Sequence, residues 1–330
     1  MVVEKIKATG TRLVTGARGL VPSIGSASLW RKLGLGLLII VLLYYPIGML
    51  VVHNIDDDPD FQASENNVTE GGSKTVAVAA ALIERETDIH RWVANDPFFL
   101  PAAALDNMPN FQKGVISALA RVSFELVDQI GRTRGSSETD PNLQEASGKL
   151  QYAGDVWVFD FSTSIAPVAT SEAQYRAARR SLLKYNQRLA NGNAVFERRA
   201  DNLMATLDRI ALDIGSSSAA IDSHVVEKSG QFIDFQADDV FYNVKGQIYA
   251  YYLILRELQV DYADLIHERG LDNAWGQMLE SMRTAATVNP WVVVNGNPSG
   301  QFLPSHLAAQ GFFLLRARTR LREITNILLK

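Results

Sequence analysis

Hydrophobic and polar positions follow two different habits along this chain. Leu33 to Val52 reads LGLGLLIIVLLYYPIGMLVV, twenty residues without a charge. From about residue 75 the apolar positions step by three and four, the mark of helices that bury one stripe. Phe241, Val244, Ile248, Tyr251, Leu255, Leu258, Tyr262 and Leu265 form the longest seam. Asp238 and Asp239 precede it and suit a helix N-terminus. The same stepping recurs in Leu271, Trp275, Met278, Met282 and Ala285, and again in Leu314, Ala317, Leu321, Ile324 and Leu328. Further helices are predicted at about 76–94, entered through Ser73 or Thr75, at 110–131 and at 140–152. The pattern predicts an all-α fold, a single N-terminal transmembrane helix followed by a bundle of long, coiled-coil-like helices in one domain, 75–330.

Residues 171–214 read as an antiparallel helical pair. One seam is Tyr175, Ala178, Leu182, Tyr185 and Leu189, and the other runs from Phe196 through Ala200, Leu203, Leu207 and Ile210 to Ile214. Asn191-Gly192-Asn193 lies between them, with Gly192 suited to a left-handed helix cap. Five apolar pairs, from Leu189 with Phe196 to Tyr175 with Ile210, share a residue-number sum of 385, as an antiparallel register requires. Ser171 and Gln174 offer a capping box.

Two runs break the helical habit. DVWVFDFS at 155–162 and WVVVNGNPSG at 291–300 are rich in β-branched and aromatic residues and are bounded by turn signals. They either pair as a small ribbon, 155–161 with 291–295, or lie as extended loops on the bundle. Residues 53–74 are acidic and polar and read as a linker.

The apolar run is long enough to cross a bilayer, whose hydrocarbon is about 30 Å thick. It lacks the polar stripe of a core helix. Its end, MLVVHN, lacks the small-x-small pattern of a cleaved signal. The reading is an uncleaved anchor at 33–52. Residues 1–32 carry six Lys or Arg against one Glu, or +5, so the remaining chain carries −9 of the total −4. The positive-inside rule places that tail in the cytoplasm and the main domain in the periplasm of a Gram-negative cell. The tail fixes topology, or rests against anionic inner-membrane lipid. The chain has no cysteine, so its stability rests on packing.

Candidate chemistry is sparse, and no cofactor or metal is expected. Ser181-Leu182-Leu183-Lys184 matches the S-x-x-K of acyl-serine cell-wall enzymes but lacks the companion elements. Asp56-Asp57-Asp58-Pro59-Asp60 begins like a calcium loop, yet Phe61 and Asn67 stand where Gly and Glu are needed. Asp264 with His267, and Glu86 with His90, are isolated two-residue steps, and the five histidines at 53, 90, 224, 267 and 306 show no His-x-x-x-His spacing. A carboxylate pair for glycan cleavage is open to a helical bundle. Trp157, Asp160 and Trp291 are the first aromatic and acidic residues to inspect for it, against the alternative of core tryptophans.

One charged feature stands out. Arg176, Arg180, Lys184 and Arg188 fall at i, i+4, i+8 and i+12, with Arg179 beside them. Like charges at that spacing repel by roughly 0.2–0.5 kcal/mol each. Acids from a third helix, or an anionic partner, would offset this. The predicted compartment excludes nucleic acid, leaving phospholipid headgroups, cell-wall polymer or an acidic protein surface.

NPWVVVNGNPSGQFLPSHLAAQGFFLLRAR near the C-terminus, with the anchor, acidic segment and helical outer region, resembles a family of uncharacterised Gram-negative inner-membrane proteins. The resemblance implies a domain of unknown function and carries no catalytic residue with it. The sequence is read as a membrane-anchored periplasmic scaffold or adaptor of the cell envelope. The alternatives are a periplasmic enzyme acting on cell-wall material, or a ligand-sensing bundle acting through a membrane partner. Oligomeric state is left open.

Overall fold

Twenty uncharged residues cannot leave their backbone groups bare in an apolar phase, so a helix is the form expected of them. In the computed structural model, which describes residues 27–133, 139–160, 162, 164–228, 234, 236–296 and 304–329, they lie in helix α1, Ala27–Val52, with Pro46 inside it. Its stretch Leu29–Val52 is 24 residues, about 36 Å at the helical rise, and its apolar side chains are exposed. This helix is long and apolar enough to cross a membrane. All but its last two residues belong to one unit of the chain, Met1–Leu50, and the second unit is Val51–Lys330.

The second unit is all-α. Its helices are α2 (Lys74–Glu84, continued by a π turn Arg85–Ile89), α3 (Asn107–Thr133), α4 (Pro141–Leu150), α5 (Ser171–Ala190), α6 (Ala200–Lys228), α7 (Ala237–Asp261), the short α8 (Ala263–Glu268), α9 (Asp272–Ala286) and α10 (His306–Leu328). Side chains fix their starts: Ser73, Asp140, Thr170 and Ser305 accept hydrogen bonds from the first free backbone N–H groups of α2, α4, α5 and α10. Thr170 rather than Ser171 caps α5. The Ser171 hydroxyl donates to the Ala153 carbonyl instead.

Helix α7 is the shaft of this unit. Ile248 to Leu255 are buried without interruption, so the helix is apolar on every side and is covered by α3, α2 and α9. Helix α3 comes so close that backbones touch. A Cβ on Gly246 would sit 2.0 Å from the Phe111 carbonyl oxygen, and one on Gly114 would sit 2.1 Å from that of Asn243. Only glycine fits at both positions.

Two expectations are corrected. The 171–214 pair does not form: α5 packs on α2 and α4, while α6 packs on α10 and α3. Gly192 does take the left-handed conformation, φ +73°. However, α6 begins only at Ala200, so Phe196 lies before the helix and meets the Tyr262 ring instead of Leu189. The ribbon is also absent. Val156 and Val158 accept backbone hydrogen bonds from Ser171 and Val168, whereas Asn295 bridges Ser305. Each run pairs with the chain that follows it, and among the described residues neither forms a strand. Position 161 and residues 297–303 lie outside the described residues.

Candidate functional site

The acidic segment after α1 would stay in water if the domain offered it nothing. The domain offers cations from its interior. Lys245 on α7 is 0% exposed, and its Nζ lies 2.8 Å from Asp57 Oδ2. Arg85, in the π turn after α2 and 2% exposed, holds Glu86 at 2.8 Å and Asp56 at 3.5 Å. It also donates to the Tyr249 hydroxyl at 2.8 Å and stacks between the Phe61 and Tyr249 rings. Tyr249 passes its own proton to the Asp58 carbonyl at 2.7 Å, and Arg256 donates to the carbonyls of Pro59 and Phe61. Further on, Asn67 is buried between Ser64, Glu84 and Arg179. The Asp261 carboxylate, at the end of α7, accepts from Ser73 Oγ at 2.6 Å and from the Lys74 and Thr75 N–H groups at 2.9 Å each, so a charge sits on the α2 N-terminus. Residues 56–75 are thus fastened to α2 and α7 along their length. The segment is acidic and irregular, as read from the sequence, but it is docked rather than slack.

Burial and charge compete in this joint. Burial pushes the Lys245 ammonium below the ordinary lysine value, with Asp57 pulling the other way. Burial likewise opposes the charge on Arg85, but Glu86, Tyr249 and Asp56 together hold it above its usual value. Asp57 is the sole ion-pair partner of Lys245 among the described residues, and the buried Nζ makes no well-directed hydrogen bond there.

Beside the joint lies a carboxylate trio. Asp106, Asp238 and Asp239 bring oxygens within 4.8 Å of one another at the start of α7, and Asn110 donates to Asp239. Burial, and then the Asp106 charge, raise Asp238 and Asp239 above the ordinary carboxylate range. Burial lowers His53 while Asp106 raises it. Such a trio has the donor type that calcium or magnesium takes, but nothing besides its acids marks a cation site.

A groove of about 470 Å³ opens between α3, α4 and the start of the 151–170 loop. Lys113, Ser117, Arg121, Phe124, Tyr152 and Tyr175 are among its lining residues, which include no carboxylate and no histidine. It can hold an anionic or aromatic group but offers no acid–base pair.

The sequence-derived basic row is split by the fold. Arg176 reaches Asp88 at 2.5 Å, Arg179 reaches Glu84 at 2.6 Å, and Arg188 reaches Asp140 at 2.7 Å. These acids come from the π turn, from α2 and from the start of α4, so neighbouring elements answer most of the charge. Arg180 and Lys184 are exposed. The S-x-x-K serine, Ser181, donates to Glu145 at 2.8 Å and is buried away from any cleft. Glu86 is taken by Arg85, so it forms no half-site with His90. The other histidines are scattered: His224 meets Asp234, His267 meets Asp272, and His306 accepts from the Val294 N–H. Trp291 is 103% exposed, which overturns its reading as core packing. Asp160 accepts from the Ser162 N–H and hydroxyl rather than standing ready as an acid.

Sequence reasoning passed over Lys245 and Arg85, the two cations that organise the joint. A signal existed for the first: Lys245 interrupts FYNVKGQIYAYYLIL, a run too apolar all round to leave one face in water.

The chain matches a family described as an uncharacterized protein conserved in bacteria, DUF2333, over residues 34–234 and 227–330. No curated protein and no solved structure matches it.

Proposed function

The chain belongs to this conserved bacterial family, and on that premise we propose that it is a membrane-anchored helical scaffold or adaptor of the cell envelope. In this reading α1 stays in the inner membrane, the basic N-terminus faces the cytoplasm and the helical unit works in the periplasm. The observation that carries it is the joint. Asp56 and Asp57 follow the apolar helix by four and five residues and are held by cations buried inside the domain. An enzyme that diffuses to its substrate gains nothing from such a mount, whereas a protein that presents a surface to an envelope partner does. The α3–α4 groove agrees, since its lining lacks the convergent acids or histidines of a hydrolytic site.

Two measurements test this. Phosphatase and fluorescent-protein fusions after Asp60 and at the C-terminus should report a periplasmic domain, and cytosolic activity of either fusion refutes the orientation. Photo-crosslinking from the outer surface in living cells should capture discrete envelope proteins. A domain that turns over cell-wall fragments instead supports the enzymatic alternative. One observation favours a second reading, a ligand-sensing bundle: the α3–α4 groove is lined by Lys113 and Arg121 together with Phe124, Tyr152 and Tyr175.

A further inference from the structure

Water-facing loops of a soluble domain are normally polar, and contiguous aromatic surface marks a contact. Residues 97–105 read PFFLPAAAL, nine positions without a charge or a hydrogen-bonding side chain. Phe98 is 83% exposed and Phe99 about half so. The Phe99 ring meets Trp157 edge-on at 5.8 Å, and Trp157 meets Phe159 at 5.5 Å. The Val168 N–H donates to the Val158 carbonyl and holds the next turn alongside, where Ile165 is 91% exposed. Two loops far apart in sequence thus build one apolar rim.

The rim has a definite place in the domain. Near the start of the second unit Val52 and Ile55, together with Leu105, pack on Val93, Ala102 and Met108. The Asn54 N–H also points at the Met108 sulfur, 3.3 Å away. Phe99 is three residues from Ala102, no more than about 11 Å even along an extended chain. Phe99 therefore lies close to the packing of Val52 and Ile55, where the chain enters the second unit. Trp and Phe side chains concentrate at the boundary between hydrocarbon and headgroups, where an apolar body is welcome and nearby polar groups stay wet.

We propose that the aromatic rim formed by Phe98, Phe99, Trp157, Phe159 and Ile165 inserts into the headgroup–acyl boundary of the membrane that holds α1, as a second, non-helical contact with lipid. This inference rests on the anchor reading. The nearby charges are acidic or already paired: Asp96 is bonded to Arg91, and Asp160 caps its own turn. The contact is accordingly apolar, needs no anionic lipid and is insensitive to salt, unlike a polybasic patch.

The chain has no native cysteine, which makes the test direct. Single variants Leu42→Cys, Phe98→Cys and Ile165→Cys in the full chain are labelled with an environment-sensitive fluorophore and reconstituted in phosphatidylcholine vesicles. Some of the lipid carries a nitroxide near the top of the acyl chain. Labels at 98 and at 165 should each lose more than half their emission, at low and at high salt alike. If the label at 42 is quenched and those at 98 and 165 are not, the anchor stands and the rim contact is refuted. If the rim labels are shielded from aqueous iodide yet untouched by the nitroxide lipid, the rim is covered by protein, which also overturns the proposal. An unquenched label at 42 removes the anchor reading, and the inference falls with it. The two rim positions are highly exposed, so loss of fold at one leaves the other to decide.

Discussion

Two sets of irregular residues in the domain invert what their composition suggests. Residues 53–75 are acidic and polar, and they are pinned against the interior. In residues 97–105 and in the loop after α4, Phe98, Phe99, Phe159 and Ile165 are apolar and exposed. The difference lies in what the helices supply. Helix α7 and the π turn present Lys245 and Arg85, whose buried charges demand carboxylates; Asp57 answers the first, and Asp56 joins Glu86 at the second. Phe98 and Ile165 stay exposed. Burial here follows the partner available, not the hydropathy of the segment alone.

The sharpest way to break the comparison is Asp57→Ala. It strands Lys245 in an apolar site, and we expect a loss of about 3 kcal/mol, the usual cost of removing one partner of a buried pair. Chemical denaturation followed by circular dichroism measures it. Lys245 binds its proton less tightly folded than unfolded. The unfolded state therefore takes up protons first, and the variant's deficit should shrink as pH rises toward the ordinary lysine range. A deficit that ignores pH would mean the ammonium is not its source.

Smaller in effect is the double variant Asp57→Leu with Lys245→Met. Replacing both charges by apolar groups of similar size should bring stability back to within about 1 kcal/mol of the native chain. The pair would then be a specificity device for docking the segment. Failure to recover would make it a stabiliser in its own right.

A modest effect is expected at the border of the two regions, where His53 of the docked segment and Asp106 of the aromatic one meet the start of α7. Asp238 binds its proton more tightly in the folded state. Stability should rise as pH falls through the window just above the ordinary carboxylate range, and Asp238→Asn should raise the thermal midpoint at neutral pH while removing part of that acid gain. An unchanged midpoint would show that Asp238 is more open to water than its surroundings indicate.

The least change belongs to the exposed side. Phe98→Ser should leave stability within about 0.5 kcal/mol, because little is buried there. Arg180→Glu with Lys184→Glu should be similarly quiet in denaturation. Any consequence of these substitutions belongs to binding, and a large loss of stability would contradict the exposure of all three residues.

The helices were legible because their seams are long: Phe241 to Leu258 and Leu314 to Leu328 are buried as their spacing required. The α5–α6 pairing misled for a physical reason. Any two stripes of near-heptad period, read in opposite directions, yield a constant residue sum. The arithmetic tests periodicity rather than proximity. The same limit hid the partners of the basic row, since Asp88, Glu84 and Asp140 reach it only through tertiary folding. The joint was missed because three consecutive aspartates look solvated until opposite charges arrive from nearly two hundred residues away. The aromatic rim was half visible: Trp157 drew notice, but PFFLPAAAL passed as part of a connection between helices.

The stapling of residues 56–75 also sets reach. A free leash of about twenty residues would let its cargo wander roughly 25 Å from its post. With both ends and the middle tied to α2 and α7, hardly any of that slack remains, so the chain that enters the domain is part of its body rather than a tether.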